Sequence, residues 1–230
     1  MRIPALAALV LLTCLTAACS SAPDHTSHEA PTSTAAVVGA ATTSAAAAVK
    51  PAPGNSAALG EVSSWVDSGT QVDSAKFASA STEDGTSSTL VDGDRAFSSP
   101  TGKIKCITDG HEGRHSLVCL VDLKNPPAKP SGPQGNWVGG WVEYEGQVLT
   151  VGGLHGDPGP FVRGYGEQLA YGSRITVHGT KCRMDSAGLF CVNSQAGTGF
   201  RASDAGIVPF GCLSEEATPR EVNAGEYYTC

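Results

Sequence analysis

Clusters of basic residues are missing from this chain. Its 15 lysines and arginines are scattered singly among 22 acidic residues, and Lys103-Ile104-Lys105 is the densest basic spot. A net charge of −7 without a basic patch argues against a nucleic-acid partner and against a polybasic grip on a membrane. Aromatic residues make up only 6%, and a helical apolar period appears just once, which disfavours a helical core. No C-x2-C pair occurs, which removes the common structural zinc frameworks. No G-x-S-x-G occurs either, which removes the usual serine-hydrolase elbow. The longest apolar run, residues 3–18, is too short to span a bilayer.

That short run carries a message of its own. Arg2 gives a basic start, small residues end the run, and Leu15-Thr16-Ala17-Ala18-Cys19 follows the pattern of a lipoprotein cleavage site. The expectation is a signal peptide over residues 1–18, with Cys19 becoming the lipidated first residue of the mature chain. A plain secretory cut near Ala18 is the other reading, and it leaves a stray exposed thiol. Cleavage removes Arg2 and takes the net charge to −8. Lipidation places the protein on the outer face of the cytoplasmic membrane, held there by its acyl chains.

Residues 20–58 hold 13 Ala, 11 Ser or Thr and 4 Pro among 39, with no aromatic. Such a composition buries too little apolar surface to offset its ordering entropy, so residues 19–58 read as a lipidated cysteine and a disordered tether. His25 and His28 in it read as solvated side chains. A folded domain is expected over residues 59–230. Leu59, Val62, Trp65 and Val66 fall on one helical face, and Gly69 ends that short helix. Period-2 stretches follow at 88–91, 95–98, 103–108, 116–122, 137–144, 147–151, 174–178, 181–184, 189–193 and 199–202, separated by Gly, Pro and Asp turns. The fold class expected is mostly β, a compact antiparallel sandwich or partly closed barrel with one N-terminal helix.

Setting aside Cys14 and Cys19 leaves Cys106, Cys119, Cys182, Cys191, Cys212 and Cys230. An even number in an exported domain reads as a disulfide framework. Cys182 and Cys191 share an index sum with Asp185 and Gly188. A two- or four-residue loop centred on Ser186-Ala187 therefore puts the cysteines directly opposite one another, whereas a three-residue loop slips the register. Cys106 and Cys119 bracket a similar hairpin, which leaves Cys212 for Cys230. Their segment has few apolar residues and reads as a loose C-terminal tail.

Three places invite a functional reading. His111-Glu112-Gly113-Arg114-His115 is a literal H-E-x-x-H, the pattern of zinc metalloproteases, with Glu143 or Glu145 as a third ligand. Its glycines and strand-like flanks read instead as a polar hairpin loop. No metal or other cofactor is therefore expected, and His111 and His115 stay the only metal candidates. Residues 152–161 form a Gly/Pro-rich loop in which His155 and Asp157 are ligand-binding candidates. By strand parity Trp137, Trp141 and Glu143 share one face, while Val138, Val142 and Tyr144 share the other. The two indoles either fill the core or form a stacking platform for a sugar or lipid.

The run Phe97-Ser98-Ser99-Pro100-Thr101-Gly102-Lys103-Ile104-Lys105-Cys106 resembles a shared stretch of exported actinobacterial lipoproteins of the mycobacterial LppI type. So do Leu169-Ala170-Tyr171-Gly172, the Gly179 to Cys182 and Gly188 to Cys191 spacings, and Gly199-Phe200. The resemblance implies a disulfide-bearing β domain in the cell envelope and carries over no catalytic residue. The expected function is a lipid-anchored module that binds an envelope lipid, glycan or protein partner without enzymatic chemistry. The alternative is a metal-dependent hydrolase using His111, Glu112 and His115.

Overall fold

The computed structural model describes residues 50–109, 115–132, 134–155, 158–219 and 222–230. The signal peptide, Cys19 and all but the end of the expected tether lie outside them. In chain order, helix α1 (Leu59–Asp67) precedes β1 (Thr70–Gln71), β2 (Ser79–Ser81), β3 (Ser87–Thr89), β4 (Ala96–Ser98), β5 (Ile104–Asp109), β6 (Ser116–Val121), β7 (Asn136–Tyr144) and β8 (Val148–His155). Then come β9 (Glu167–Gln168), β10 (Ser173–Val177), β11 (Thr180–Asp185), β12 (Gly188–Asn193), β13 (Thr198–Ser203), β14 (Gly206–Gly211), β15 (Ser214–Glu216) and β16 (Ala224–Thr229).

Two sheets result. One has six strands in the order β1-β10-β11-β12-β13-β14, the other eight in the order β15-β16-β8-β7-β6-β5-β4-β9. Pairing is antiparallel except at the edges, where β1 runs parallel to β10 and β9 to β4. Neither sheet closes on itself, so the architecture is a sandwich rather than a barrel. Alternation along each strand explains the layering. Phe97, Cys106, Leu117, Cys119, Val142, Tyr144 and Leu149 from the larger sheet meet Ile175, Cys182, Met184, Leu189, Cys191 and Phe200 from the smaller in one buried cluster. The Tyr144 hydroxyl and Thr198 share a hydrogen bond between the sheets. Burial pushes the Tyr144 phenol up to about 12, so that bridge stays protonated.

Both outer faces also carry apolar residues, and each is covered. Helix α1 lays Val62, Trp65 and Val66 on Phe190, Val192 and Phe210 of the six-stranded sheet. The Arg183 guanidinium sits 3.8 Å over the Trp65 ring and donates to the Trp65 carbonyl and the Ser68 hydroxyl. Residues 50–58, expected to belong to the tether, are already part of this layer. The Trp65 indole donates to the Lys50 carbonyl, and Ala52 and Ala57 pack on the same cluster. Their small side chains gave no apolar period to read. On the eight-stranded sheet, Ala80, Leu90 and Phe161 cover Ala96, Ile107, Val118 and Trp141.

The three disulfides are Cys106–Cys119, Cys182–Cys191 and Cys212–Cys230, the nearest-neighbour pairing expected. Asp185 pairs with Gly188 across a two-residue loop, which sets Cys182 opposite Cys191. The last segment is no loose tail. β16 pairs along β8, and Tyr228 and Leu213 reach the central cluster. Exposed Glu215 and Glu216 in β15, and Glu226 between Ala224 and Tyr228 in β16, mask that pattern in the sequence.

The four hairpin cysteines are essentially inaccessible to solvent, whereas Cys212 and Cys230 are exposed. Replacing Cys182 and Cys191 together by Ala is expected to lower global stability by about 3 kcal/mol, the loop-closure value for so short a loop. Replacing Cys212 and Cys230 by Ser should act first on the sheet edge. Hydrogen exchange should then show β15 and β16 opening while β6 and β12 keep their protection. Equal protection of β16 and β6 in that variant would contradict this ordering.

Candidate binding site on the outer face of the larger sheet

Strand β7 does not keep the parity expected of it. Between the pairs Val138–Gly153 and Val142–Val151, β7 carries three residues where β8 carries one. This bulge is built on Gly139 and Gly140. A Cβ on Gly140 would lie 2.0 Å from the Val121 carbonyl oxygen, and one on Gly139 would lie 2.7 Å from Pro126. Only glycine permits the approach. The bulge puts Val138 on the outer face with Trp141, and leaves Val142 and Tyr144 facing inward. Trp137 therefore separates from Trp141, against expectation. It lies against Gly152 and Pro127, and its indole N–H donates to the Pro127 carbonyl.

Trp141 and His155 do come together. Their ring centroids are 3.7 Å apart, and Phe161 meets the indole edge-on at 5.7 Å. His155 is the last residue of β8, paired with Asn136, so it stands on a strand and not in the long loop expected. Gly153 makes room for it, since a Cβ there would lie 2.6 Å from His155 Nε2. Asp157, the other candidate of that stretch, lies outside the described residues. Trp141 is 5% exposed, which rules out an open stacking platform. Its indole N–H is buried and has no hydrogen-bond partner among the described residues.

From this aromatic pair a groove of about 360 Å³ runs across β7, β8 and β16. Glu143, Glu145 and Thr150 form part of its lining, and Asn223 and Tyr227 complete it from the β16 side. No Lys or Arg is among the described lining residues, so the groove is acidic, with hydroxyl and amide groups between its carboxylates. The contribution from β16 was missed in the sequence. The adjacent aromatics Tyr227-Tyr228, after Gly225, were the available strand signal.

The H-E-x-x-H stretch falls between β5 and β6. Asp109 pairs with Ser116, which leaves six residues to join the strands, as a hairpin loop requires. His111 and Glu112 lie outside the described residues. His115 stacks on His178 at 4.0 Å, and Glu143 and Glu145 are among the residues that line the groove.

The bulge generates a prediction. Gly140→Ala should cost about 2–3 kcal/mol in urea unfolding, because the Val121 backbone cannot yield as a side chain would. Gly60→Ala, in the first turn of α1 with no atom near its would-be Cβ, should instead stabilise by up to about 1 kcal/mol. A Gly140→Ala protein as stable as the parent would remove the constraint that turns Trp141 outward.

Compared with known proteins, the chain matches no family model, no curated protein and no solved structure.

Proposed function

We propose that this chain is an exported protein anchored by a lipid on Cys19, and that its β-sandwich is a non-enzymatic binding module of the cell envelope. Its ligand is a hydroxyl-rich segment of an envelope glycan, held in the groove beside Trp141 and His155. The observation that carries this reading is the buried Trp141 N–H, without a partner among the described residues, at the head of a groove that Glu143 and Glu145 help to line. A buried donor without a partner is costly, and a ligand oxygen would satisfy it. Glu143 and Glu145 accept hydrogen bonds from sugar hydroxyls. With no lysine or arginine among the described lining residues, the groove offers little to phosphate, nucleic acid or other anions. The half-polar lining also suits an acyl chain poorly. Three disulfides support an oxidising, extracytoplasmic address.

Anchoring is tested by fractionation. Two or more acyl chains hold a protein on a bilayer where one does not, so the Cys19→Ala chain should leave the membrane fraction. Retention of that variant on membranes would refute lipidation as the anchor.

Ligand binding is tested by titrating soluble fragments of envelope polysaccharide against tryptophan fluorescence. Trp141→Phe keeps an aromatic ring in place but removes the N–H, and should weaken binding about tenfold, the worth of one buried hydrogen bond. Glu143→Gln should weaken it comparably. Unchanged affinity in both variants would place the ligand elsewhere.

A further inference from the structure

Asp94, His115 and His178, none of which lines the groove, converge in a second cluster. One ligand atom from each lies within 4.8 Å of the other two. The three come from separate parts of the chain. Asp94 precedes β4 and His115 precedes β6 in the larger sheet, and His178 forms the turn between β10 and β11 of the smaller one. We propose that they form a binding site for a divalent transition-metal ion, with zinc the best match.

The separations favour coordination over hydrogen bonding. His178 Nε2 stands 3.4 Å from Asp94 Oδ1, is itself buried and makes no hydrogen bond among the described residues. That is long for a hydrogen bond. It is close to the edge of a tetrahedron whose metal bonds are about 2.0–2.1 Å. The carboxylate is oriented from behind, because the Thr108 hydroxyl donates to Asp94 Oδ1 at 2.9 Å. Ligands of metal sites are commonly fixed in this way. Asp94 also closes a tight turn, its N–H donating to the Val91 carbonyl across Asp92 and Gly93, both at positive φ.

His178 sits at φ 43° with Gly179 at φ 80°, in the two-residue turn between the Val177–Thr180 pair. Asn-Gly or Asp-Gly usually fills such a turn. A histidine there accepts backbone strain, and a strained side chain held against an acidic partner points to a task for its imidazole. Gly93 makes room for the ring, since a Cβ there would lie 3.3 Å from His178 Cε1. The His115 ring is stacked on His178 with 12° between planes. A metal lies in the plane of the imidazole that binds it, so His115, which is exposed, must turn out of the stack on binding. Two imidazoles and one carboxylate suit zinc or a neighbouring transition metal rather than magnesium or calcium, and leave one coordination position open. Bound there, the ion would tie the two sheets together.

The test is calorimetric titration of Zn²⁺ into the full chain with its disulfides intact, backed by the visible absorption of bound Co²⁺. One equivalent should bind with micromolar or better affinity and raise the unfolding midpoint. Asp94→Asn and His178→Asn should each weaken binding at least about tenfold, and asparagine tolerates the positive φ of position 178. The midpoint measured in chelator should show both variants folded. His111→Ala and His155→Ala should bind as the parent does. No binding at about 100 μM Zn²⁺, far above the affinity of a built zinc site, would overturn the proposal. So would full binding by His178→Asn, or its loss in His111→Ala, which would move the metal to the loop.

Discussion

Two buried disulfides facing each other across one core are the constraint on which the rest of this structure depends. Cys106–Cys119 staples β5 to β6 in one sheet, and Cys182–Cys191 staples β11 to β12 in the other. All four cysteines belong to the same central cluster. Each bond fixes register as well as proximity. A one-residue slip in either hairpin would turn every inward side chain outward. With both registers fixed, Phe97, Tyr144, Phe200 and Met184 meet in the middle. Which residues face outward is then decided too.

The outward faces explain where a ligand can act. An apolar outer face needs a cover, and the chain provides covers of unequal extent. Helix α1 and the segment before it lie over the six-stranded sheet. On the eight-stranded sheet the β2–β3 hairpin and the turn around Phe161 cover the region of Ala96, Ile107 and Trp141. Beyond Trp141, toward β16, the outward residues become Glu143, Thr150 and Tyr227, and the face is left as a groove. The groove thus begins where the cover ends. The Gly139-Gly140 bulge places the indole at that border, turned so that its ring is covered and its N–H is left over.

Much of this was legible in the sequence because local rules and the fold agree. The helix 59–67 was readable from its apolar spacing, and ten strands from alternation between glycine turns. The Cys182–Cys191 pairing followed from an index sum, Cys106–Cys119 from a similar hairpin, and Cys212–Cys230 from what was left. The failures have physical causes. Parity gave the wrong partner for Trp141, because a bulge inserts residues without changing the alternation on either side of it. β16 was hidden because Gly225 and Glu226 interrupt its apolar alternation, leaving only Ala224 and Tyr228 to mark the buried side. Residues 50–58 were hidden because alanine and proline can pack without a period. The grouping of Asp94, His115 and His178 was beyond sequence reasoning altogether. It depends on how two sheets stack, and no spacing within one strand encodes that.

A filled core also bears on which ligand such a module can take. Proteins that carry lipid enclose the chain within apolar walls, and in a sandwich the natural place is between the sheets. Here that space is taken by two disulfides and by fully buried Phe97, Tyr144 and Phe200. Opening it would mean parting hairpins that are covalently stapled and breaking the Tyr144–Thr198 bridge. The proposed recognition is thereby pushed to the surface, where a groove with carboxylates, an amide and an indole N–H would discriminate by hydrogen bonds. Surface recognition on a rigid sheet needs no reorganisation of the core, and little of the binding free energy is lost to ordering the site. For the lipid-anchored module proposed above, that would suit a polymer outside the bilayer, reached from a tether, better than a lipid that must be drawn out of it.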